Sequence, residues 1–449
     1  MALTAAFPMP GGSEALVLHV GRLEVLARTD DGKEAMLTGD GRVMFLLRPR
    51  PQIWWEVGTD DPEAFGFGFR GDADYMLNTP TGLAAAALIP RRSDEETKLR
   101  RGEGAWVELD GTLSDQPVIG DPTGLHQIRV ELLNFDAPIG TSVVRNPDGT
   151  NGAYLGRHVW TDDEWRLIVD ARPNLDGLLR EAGGHAGHAF THTVSITRLD
   201  EQPFSLVDAQ PTIDALFYFT SFISARLVGI ALATGLDDLG RAKCVQWSTT
   251  ITEAFGTRLS WYPEFSPALL EPLWPRFKER ISDPAWHEAL VPALRLYIEA
   301  QSRLIESGLA MSATAIETLT WSVLVNAESY LTEDAYERIS FADRLRLLLR
   351  WAEIPVGYDP AGEPSLERLG REYNLDALEM LAWVRNRVVH PDKKKVLNSA
   401  LKLEAWQLAL WFVELVILRI CGYEGDYGSR RKRPRHAGDT APVPWIERA

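Results

Sequence analysis

The feature that most restricts the fold of this chain is a change of hydrophobic period near residue 211. Before it, short apolar runs rich in branched residues are separated by Gly, Pro and Asp clusters, which is typical of antiparallel strands. After it, apolar residues recur at helical spacing over long stretches. This order predicts an α+β multidomain protein in which β-structure comes first and helices follow.

The β-rich part is predicted to be sandwich-like or barrel-like rather than a parallel sheet. Asp31-Gly32 and Asp40-Gly41 have the composition of hairpin turns. Residues 91–103 are densely charged and residues 143–157 are rich in Gly and Asn, so we expect both to be loops. The strand candidates are residues 15–27, 41–49, 52–57, 105–113, 126–135, 165–173 and 190–199.

The later part of the chain predicts a helical bundle. Residues 213–232 have the pattern of a buried helix that runs into a strand, and 235–247 predict a turn and another strand. The prolines of 261–277 favour a connector, and Ser312 is a candidate N-cap. Further helices are predicted near residues 290–305, 311–329, 338–352, 373–390 and 396–421.

These patterns divide the chain into four parts. Residues 1–205 are predicted to form a β-rich domain with a sensing or regulatory role. Residues 206–280 are predicted to be a mixed connector packed on it, and residues 281–427 a helical bundle. The basic segment 428–449 is predicted to be a disordered tail because it joins five cationic residues to several prolines.

Composition limits the kinds of partner. The chain has 449 residues, 45% of them hydrophobic, and a net charge of −16, so only a local basic patch could bind nucleic acid. Cys244 and Cys421 are the only cysteines and lack metal-type spacing, which favours a reducing cytoplasm. The first residues lack a secretion signal, and charged residues interrupt the apolar stretch 406–420. We therefore expect a cytoplasmic protein without membrane contact.

The stretch WVRNRVVHPDKKK, residues 383–395, carries the strongest chemical signal. Arg385 offers a permanently charged fork of donors to a phosphate, and His390 can exchange a proton near neutral pH. Asn386 adds a neutral donor and acceptor between them. Because Pro391 disfavours helical geometry at the residue before it, we expect the helix to stop at His390.

The spacing alone is a loose pattern, and on that pattern alone an ordinary surface helix end with a histidine cap is the preferred explanation. Arg385 and His390 are five positions apart, about 500° of regular helix, so they do not share a face. Their tips could converge only if the arginine reaches around or the helix loosens before Pro391. The neighbouring cations could attract RNA locally; they are Arg387, Lys393, Lys394 and Lys395.

Three segments in order resemble the HEPN domain, a helical bundle found in many bacterial RNases of defence and toxin systems. TAIETL (314–319) resembles the family's second helix, DRLRLLLRWAEIPV (343–356) its third, and VRNRVVHP (384–391) its RNxxxH signature. Residues 183–202 and 215–247 resemble more loosely the β-rich region of ApeA-type HEPN proteins, which are linked to abortive infection by phage.

The HEPN resemblance implies a function. It implies a homodimer or higher oligomer whose facing motifs cut RNA, such as tRNA, without a metal or cofactor. The ribose 2′-OH would attack the adjacent phosphate, so DNA would not be cut. His390 would handle the proton, Arg385 would stabilise negative charge, and Asn386 would assist. Glu317 could orient Arg385 or His390 or hold helices together, and the N-terminal region would respond to a phage-derived trigger.

Other interpretations remain open. HEPN-like bundles also serve as non-catalytic dimerisation or binding modules, here joined to a ligand-binding β-domain. The aromatic-rich first half could bind a carbohydrate or peptide. His185, His188 and His192 form an HxxHxxxH pattern, but a turn and a strand at that position disfavour a shared metal, so no metal site is expected. Motifs of P-loop enzymes, serine hydrolases and zinc proteases are missing from the sequence.

Overall fold

The fold is that of a computed structural model without ligands. The structure describes most of the chain but not all of it. The described residues are 3, 5, 15–29, 32, 34–60, 73–78, 86–90, 107–113, 116–137, 139–145, 152–185, 187–248, 250–301, 304–390, 397–432, 436 and 438–446. The charged segment 91–103, predicted to be a loop, lies outside them.

A closed antiparallel barrel opens the fold, in the strand order β1-β2-β3-β6-β5-β4. Its interior is filled by side chains that alternate along the strands, among them Val25, Phe45 and Trp55. The strands are β1 (Leu16–Thr29), β2 (Glu34–Leu46), β3 (Gln52–Thr59), β4 (Ala73–Asn78), β5 (Ala86–Pro90) and β6 (Val107–Leu113).

The predicted turn at Asp40-Gly41 is wrong, because both residues lie inside β2. Gly41 pairs with Gly21 of β1, and a side chain at Gly41 would collide with the carbonyl oxygen of Glu56 on β3. The glycine therefore permits close approach of barrel strands rather than a chain reversal.

A second, eight-stranded antiparallel sheet follows, in the order β7-β14-β13-β8-β12-β11-β10-β9. Two helices accompany it, α1 (Leu175–Gly184) and α2 (Leu206–Ser224), the latter started by a capping box between Ser205 and Asp208. The strands are β7 (Val118–Gly120), β8 (Gln127–Leu133), β9 (Ser142–Arg145), β10 (Ala153–Thr161), β11 (Trp165–Ala171), β12 (Phe190–Arg198), β13 (Gly229–Leu236) and β14 (Ala242–Gln246).

This sheet corrects two expectations. Residues 143–157, expected as a loop, contain most of β9 and the first half of β10 in their described part, because tertiary pairing overrides their Gly and Asn content. The sheet also extends beyond residue 205, where the sequence analysis predicted a domain boundary. Its strand β13 comes after this residue, pairs with β8 and is buried along its whole length. Residues 229–246 are therefore part of the sheet rather than a connector.

The helical region comprises α3 to α10, and α10 is its most buried member. A π-helical segment, Ser322–Ala327, continues α5. The helices are α3 (Leu270–Ser282), α4 (Pro284–Glu299), α5 (Ile305–Trp321), α6 (Glu333–Arg338), α7 (Phe341–Trp351), α8 (Pro364–Tyr373), α9 (Ala377–Val389) and α10 (Ser399–Ile420).

Two local predictions in this region are wrong. The proline-rich segment 261–277, expected as a connector, contains the first part of α3, which accommodates Pro275 inside the helix and buries Leu273, Trp274 and Phe277. Ser312 is not an N-cap, because α5 already begins at Ile305. The Ser312 hydroxyl is buried and donates to the Gly308 carbonyl one turn earlier, at 2.7 Å.

The end of the chain is folded where the structure describes it, contrary to the expected disorder. We call residues 426–446 the C-terminal strap. Its strands β15 (Asp426–Tyr427) and β16 (Ala441–Pro442) pair with each other, and Val443 is fully buried. Tyr427 and Val443, on either side of the basic run, are buried in the core and anchor this segment.

The predicted succession of a β-rich part and a helical part is confirmed. One hydrophobic core runs from the second sheet through the helices into the strap. A second core fills the barrel and includes sheet residues such as Leu133 and Phe190. The segment Ile305–Ala327 is long and apolar enough to cross a membrane, yet 61% of its most apolar window is buried. Such burial is compatible with the core helix of a soluble protein.

Candidate functional site

Helix α9 positions the RNxxxH motif. It starts with a capping box between Asp376 and Glu379 and packs against α5, α7, α8 and α10 through residues such as Leu381 and Val384. The helix ends at Val389. His390 leaves helical geometry at φ −122° and ψ 83°, while its amide still donates to the Asn386 carbonyl at 2.8 Å. The predicted stop at His390 is confirmed.

Arg385 lies between α9 and α5. Its Nη2 is 3.4 Å from Oε1 of Glu317, its Nη1 donates to Oδ1 of Asn386 at 3.3 Å, and its guanidinium centre is 5.6 Å from the ring centre of Phe341. The two side chains of the ion pair remain 27% and 34% exposed. The pair is long and partly solvated, so the attraction is weak and the guanidinium stays available to another anion.

An aromatic group supports the backbone of Glu317. The Tyr336 hydroxyl donates to the Glu317 carbonyl oxygen at 3.3 Å, and the ring of Tyr336 meets Trp321 edge-on at 4.9 Å. The Arg344 guanidinium lies 4.3 Å above the same ring. Burial raises the pKa of Tyr336, so its hydroxyl remains a donor at neutral pH. Sequence reasoning missed this group because the short helix α6 has no strong periodic signal.

His390 and Asn386 are both exposed at the end of α9. Among the described residues, no hydrogen bond or ion pair joins the His390 imidazole to the Arg385 guanidinium. The structure therefore places Arg385 in contact with both Asn386 and Glu317 and leaves His390 open to solvent at the adjacent helix end.

Arg387 forms a stack on the same helix. Its guanidinium centre lies 3.6 Å from the ring centre of Trp383, and the Trp383 and Tyr373 rings are 5.5 Å apart. The four-residue spacing of Trp383 and Arg387 could have predicted this contact, since such pairs are neighbours on a helix. Lys393, Lys394 and Lys395 lie outside the described residues.

The HxxHxxxH histidines are in different surroundings. His185 is exposed at the end of α1, whereas His188 and His192 are buried, and the His192 ring packs 4.8 Å from that of Phe135. His158 on β10 is buried as well. Burial lowers the pKa of His158 to about 4 and that of His192 to about 3. In the described part of the chain, no three His, Cys, Asp or Glu side chains are grouped to hold a metal ion.

The fold and site thus define a class: a barrel and sheet joined to a helical bundle that presents an arginine–histidine motif at a helix end. Comparison with known proteins adds a particular likeness. Residues 120–257 match the YopA central domain, and residues 283–441 match the YopA C-terminal domain. The second match contains the whole RNxxxH motif.

A curated relative is similar along the full length. It is the SPbeta prophage-derived uncharacterized protein YopA of Bacillus subtilis (strain 168), 25% identical over 457 residues, which cover 100% of this chain and 99% of the relative. No solved structure matches. Neither domain description mentions HEPN or ApeA, so that resemblance stays a prediction that depends on the motifs of this chain.

Proposed function

We propose that this protein is a metal-independent endoribonuclease of the HEPN type that cuts RNA at a dimer interface. The observation that carries the proposal is the Arg385 guanidinium, held at the bundle surface by a single weak ion pair to Glu317. Asn386 and His390 are exposed beside it on the same helix end. A permanently charged guanidinium and a solvent-accessible imidazole near the same helix end suit acid–base chemistry on a phosphodiester.

The proposed reaction is a transesterification within RNA. The 2′-oxygen loses its proton and bonds to phosphorus, the bond from phosphorus to the 5′-oxygen breaks, and that oxygen gains a proton. One product ends in a cyclic phosphate and the other in a free 5′-hydroxyl. A base and an acid are both needed, so two facing copies of His390 would share the proton transfers. Arg385 would stabilise the additional charge on the phosphate oxygens.

Two features of α9 support the oligomer and the RNA contacts. Val389, next to His390, is 45% exposed, and an exposed apolar residue beside the motif suits burial against a second copy. The half-buried stack of Arg387 on Trp383 offers an oriented cation near the same helix end. Arg387 would meet the RNA backbone, as would Lys393, Lys394 and Lys395.

The remaining parts of the chain would control the activity. The barrel and second sheet would respond to a phage-derived trigger and release the bundle. The prophage origin of the relative is compatible with a role in conflict between phages and their hosts. We place the reaction in the cytoplasm, where tRNA and other RNA substrates occur and where free cysteines such as Cys244 and Cys421 stay reduced.

Cleavage assays on the purified full-length protein test this function. RNA is incubated with the protein and a chelator, and the product ends are analysed for cyclic phosphate. Arg385→Ala and His390→Ala should each lower the cleavage rate by about 100-fold or more. Arg350→Ala and His126→Ala are matched controls, because both residues are exposed elsewhere, and they should leave the rate unchanged. Undiminished cutting by both motif variants, or equal cutting of DNA, would contradict the proposal.

The second candidate is a non-catalytic HEPN-like dimerisation or binding module joined to a ligand-binding β-domain. The observation in its favour is that Arg385 already contacts Glu317 and makes no hydrogen bond to His390 among the described residues. Molar mass measured in solution for the wild type and for Val389→Asp discriminates the two. Loss of oligomer with no RNA cleavage under any condition favours the binding module, whereas joint loss of oligomer and cleavage favours the nuclease.

A further inference from the structure

A cavity of about 160 Å³ lies away from the RNxxxH motif, where four parts of the chain meet. Its walls come from Asp136 after β8, from the C-terminal end of α2, from residues 258–264 and from the C-terminal strap. Cavities of about 150 Å³ hold a ligand of roughly six heavy atoms. The space therefore suits a small molecule rather than a nucleotide.

Two hydroxyl groups in the wall lack partners. Ser224 is 3% exposed and Tyr262 is 5% exposed, and neither Oγ of Ser224 nor Oη of Tyr262 has a hydrogen-bond partner among the described residues. Buried hydroxyls are nearly always paired, since an unpaired one loses its hydration without compensation. Two such groups around one cavity indicate a polar ligand.

The charges around the cavity indicate the sign of that ligand. Three carboxylates line it, Asp136, Glu264 and Asp439, against one guanidinium, Arg258, and one imidazole, His436. Arg258 is already engaged by Glu253 through contacts of 3.0 and 3.1 Å. Glu264 is exposed and forms no ion pair with any described residue. The wall therefore carries surplus negative charge.

The charges of the other two carboxylates, Asp136 and Asp439, are each balanced by one ion pair among the described residues. Asp136 accepts one hydrogen bond of 2.7 Å from Arg226, which does not line the cavity, and the Asp136 side chain remains 25% exposed. Asp439 lies 3.2 Å from Lys432. Burial, followed by the charges of Glu264 and Asp136, raises the pKa of Tyr262, so its hydroxyl stays neutral and its oxygen can accept a hydrogen bond.

We propose that this cavity is a binding site for a small organic cation, an ammonium or guanidinium group on a short chain. The positive group would donate to the Tyr262 and Ser224 oxygens and would be attracted by Asp136 and Glu264. Because the strap supplies part of the wall, a bound cation would also fasten the strap to the sheet region. This site is independent of the RNA chemistry proposed for α9.

Thermal unfolding and calorimetry of the full-length protein test the site with defined probes. The cations 1,4-diaminobutane and agmatine should bind and raise the melting temperature as their concentration rises. The neutral analogue 1,4-butanediol and the anions succinate and inorganic phosphate should not. Absence of binding by both amines at millimolar concentration, or preferred binding of an anion, would overturn the proposal.

Two variants separate ligand binding from a structural role. Tyr262→Phe should weaken amine binding about tenfold or more, because it removes a hydrogen bond to a charged group. The unliganded variant should melt at the wild-type temperature or above it, since the deleted hydroxyl has no partner. Glu264→Gln should also weaken binding, whereas Glu271→Gln, at an exposed carboxylate of α3 that does not line the cavity, should not. Unchanged amine affinity in both Tyr262→Phe and Glu264→Gln would show that the probe binds elsewhere.

Discussion

Two arginine–glutamate pairs in the helical half of this protein differ in the distance between their charged atoms and in their exposure to solvent. In one, Nε of Arg430 from the strap is 2.8 Å from Oε1 of Glu414 on α10, and the side chains are 1% and 0% exposed. The Tyr297 hydroxyl donates to the same carboxylate oxygen at 2.6 Å. In the other, Arg385 and Glu317 are 3.4 Å apart and about one-third exposed. Only the second leaves its guanidinium accessible.

The difference shows how the burial of an arginine determines whether it stabilises the fold or can bind a ligand. A buried charge must keep its partner, because the protein interior cannot replace lost hydration. The Arg430 pair is therefore suited to fastening the strap to the bundle. A partly exposed pair exchanges its partner at little cost, since water screens both charges. The Arg385 pair is therefore suited to releasing its guanidinium to an incoming phosphate.

The largest expected effect is on the buried pair. Arg430→Met leaves Glu414 buried without its cation, so we expect the free energy of unfolding to fall by about 3 to 5 kcal/mol. Urea titration followed by circular dichroism measures this. The double variant Arg430→Met, Glu414→Gln should recover part of the loss, because it removes the stranded charge. Wild-type stability of the single variant would show that the strap is not held by this pair.

Two buried histidines of the second sheet carry no charge, unlike the buried Arg430–Glu414 pair, and they should make the stability depend on pH. His158 and His192 are neutral in the folded sheet, with pKa values near 4 and 3. The unfolded chain, with its ordinary value near 6.5, takes up protons first as the pH falls. Their contribution is therefore complete well above pH 6.5. It is lost progressively as the pH falls to about 4 for His158 and about 3 for His192, at roughly 3 kcal/mol for His158 alone.

Unfolding titrations from pH 7 to pH 4 measure this acid dependence. His158→Phe should flatten the slope, and the matched change at exposed His126 should not. Amide exchange should also rise in β10 and β12 before it rises in α10, since the histidines lie in the sheet. An identical slope for wild type and His158→Phe would remove His158 from the explanation.

The smallest expected effect on stability is at the exposed pair. Glu317→Gln should change the free energy of unfolding by about 1 kcal/mol or less, because solvent already weakens the interaction. If Glu317 positions Arg385, RNA cleavage should nevertheless fall about tenfold. Parallel melting curves and cleavage rates check both statements. Full activity in this variant would leave Glu317 as a residue that only connects α5 and α9.

Local patterns predicted most secondary structure in this chain because they depend on neighbouring residues. The barrel strands β1, β3 and β6 and the helices α5, α7, α9 and α10 follow from alternation and helical spacing, whereas β4 and β5 were not predicted. The failures share one cause. β9, α3 and the strap have turn-rich, proline-rich or basic sequences, and distant partners determine their conformation. A proline signal alone cannot reveal that Trp274 and Phe277 will be buried by other elements.

The candidate site also combines features that the sequence predicted with features that only the tertiary structure shows. The sequence by itself determined the order of β-rich and helical parts, and it placed His390 at a helix end, because Pro391 acts on its direct neighbour. Only the tertiary structure decided that Arg385 meets Glu317, 68 positions away, and that Arg430 is buried against Glu414. It also decided that Ser224 and Tyr262 share a cavity. Contacts between distant residues depend on how whole elements pack, and no local pattern encodes that packing.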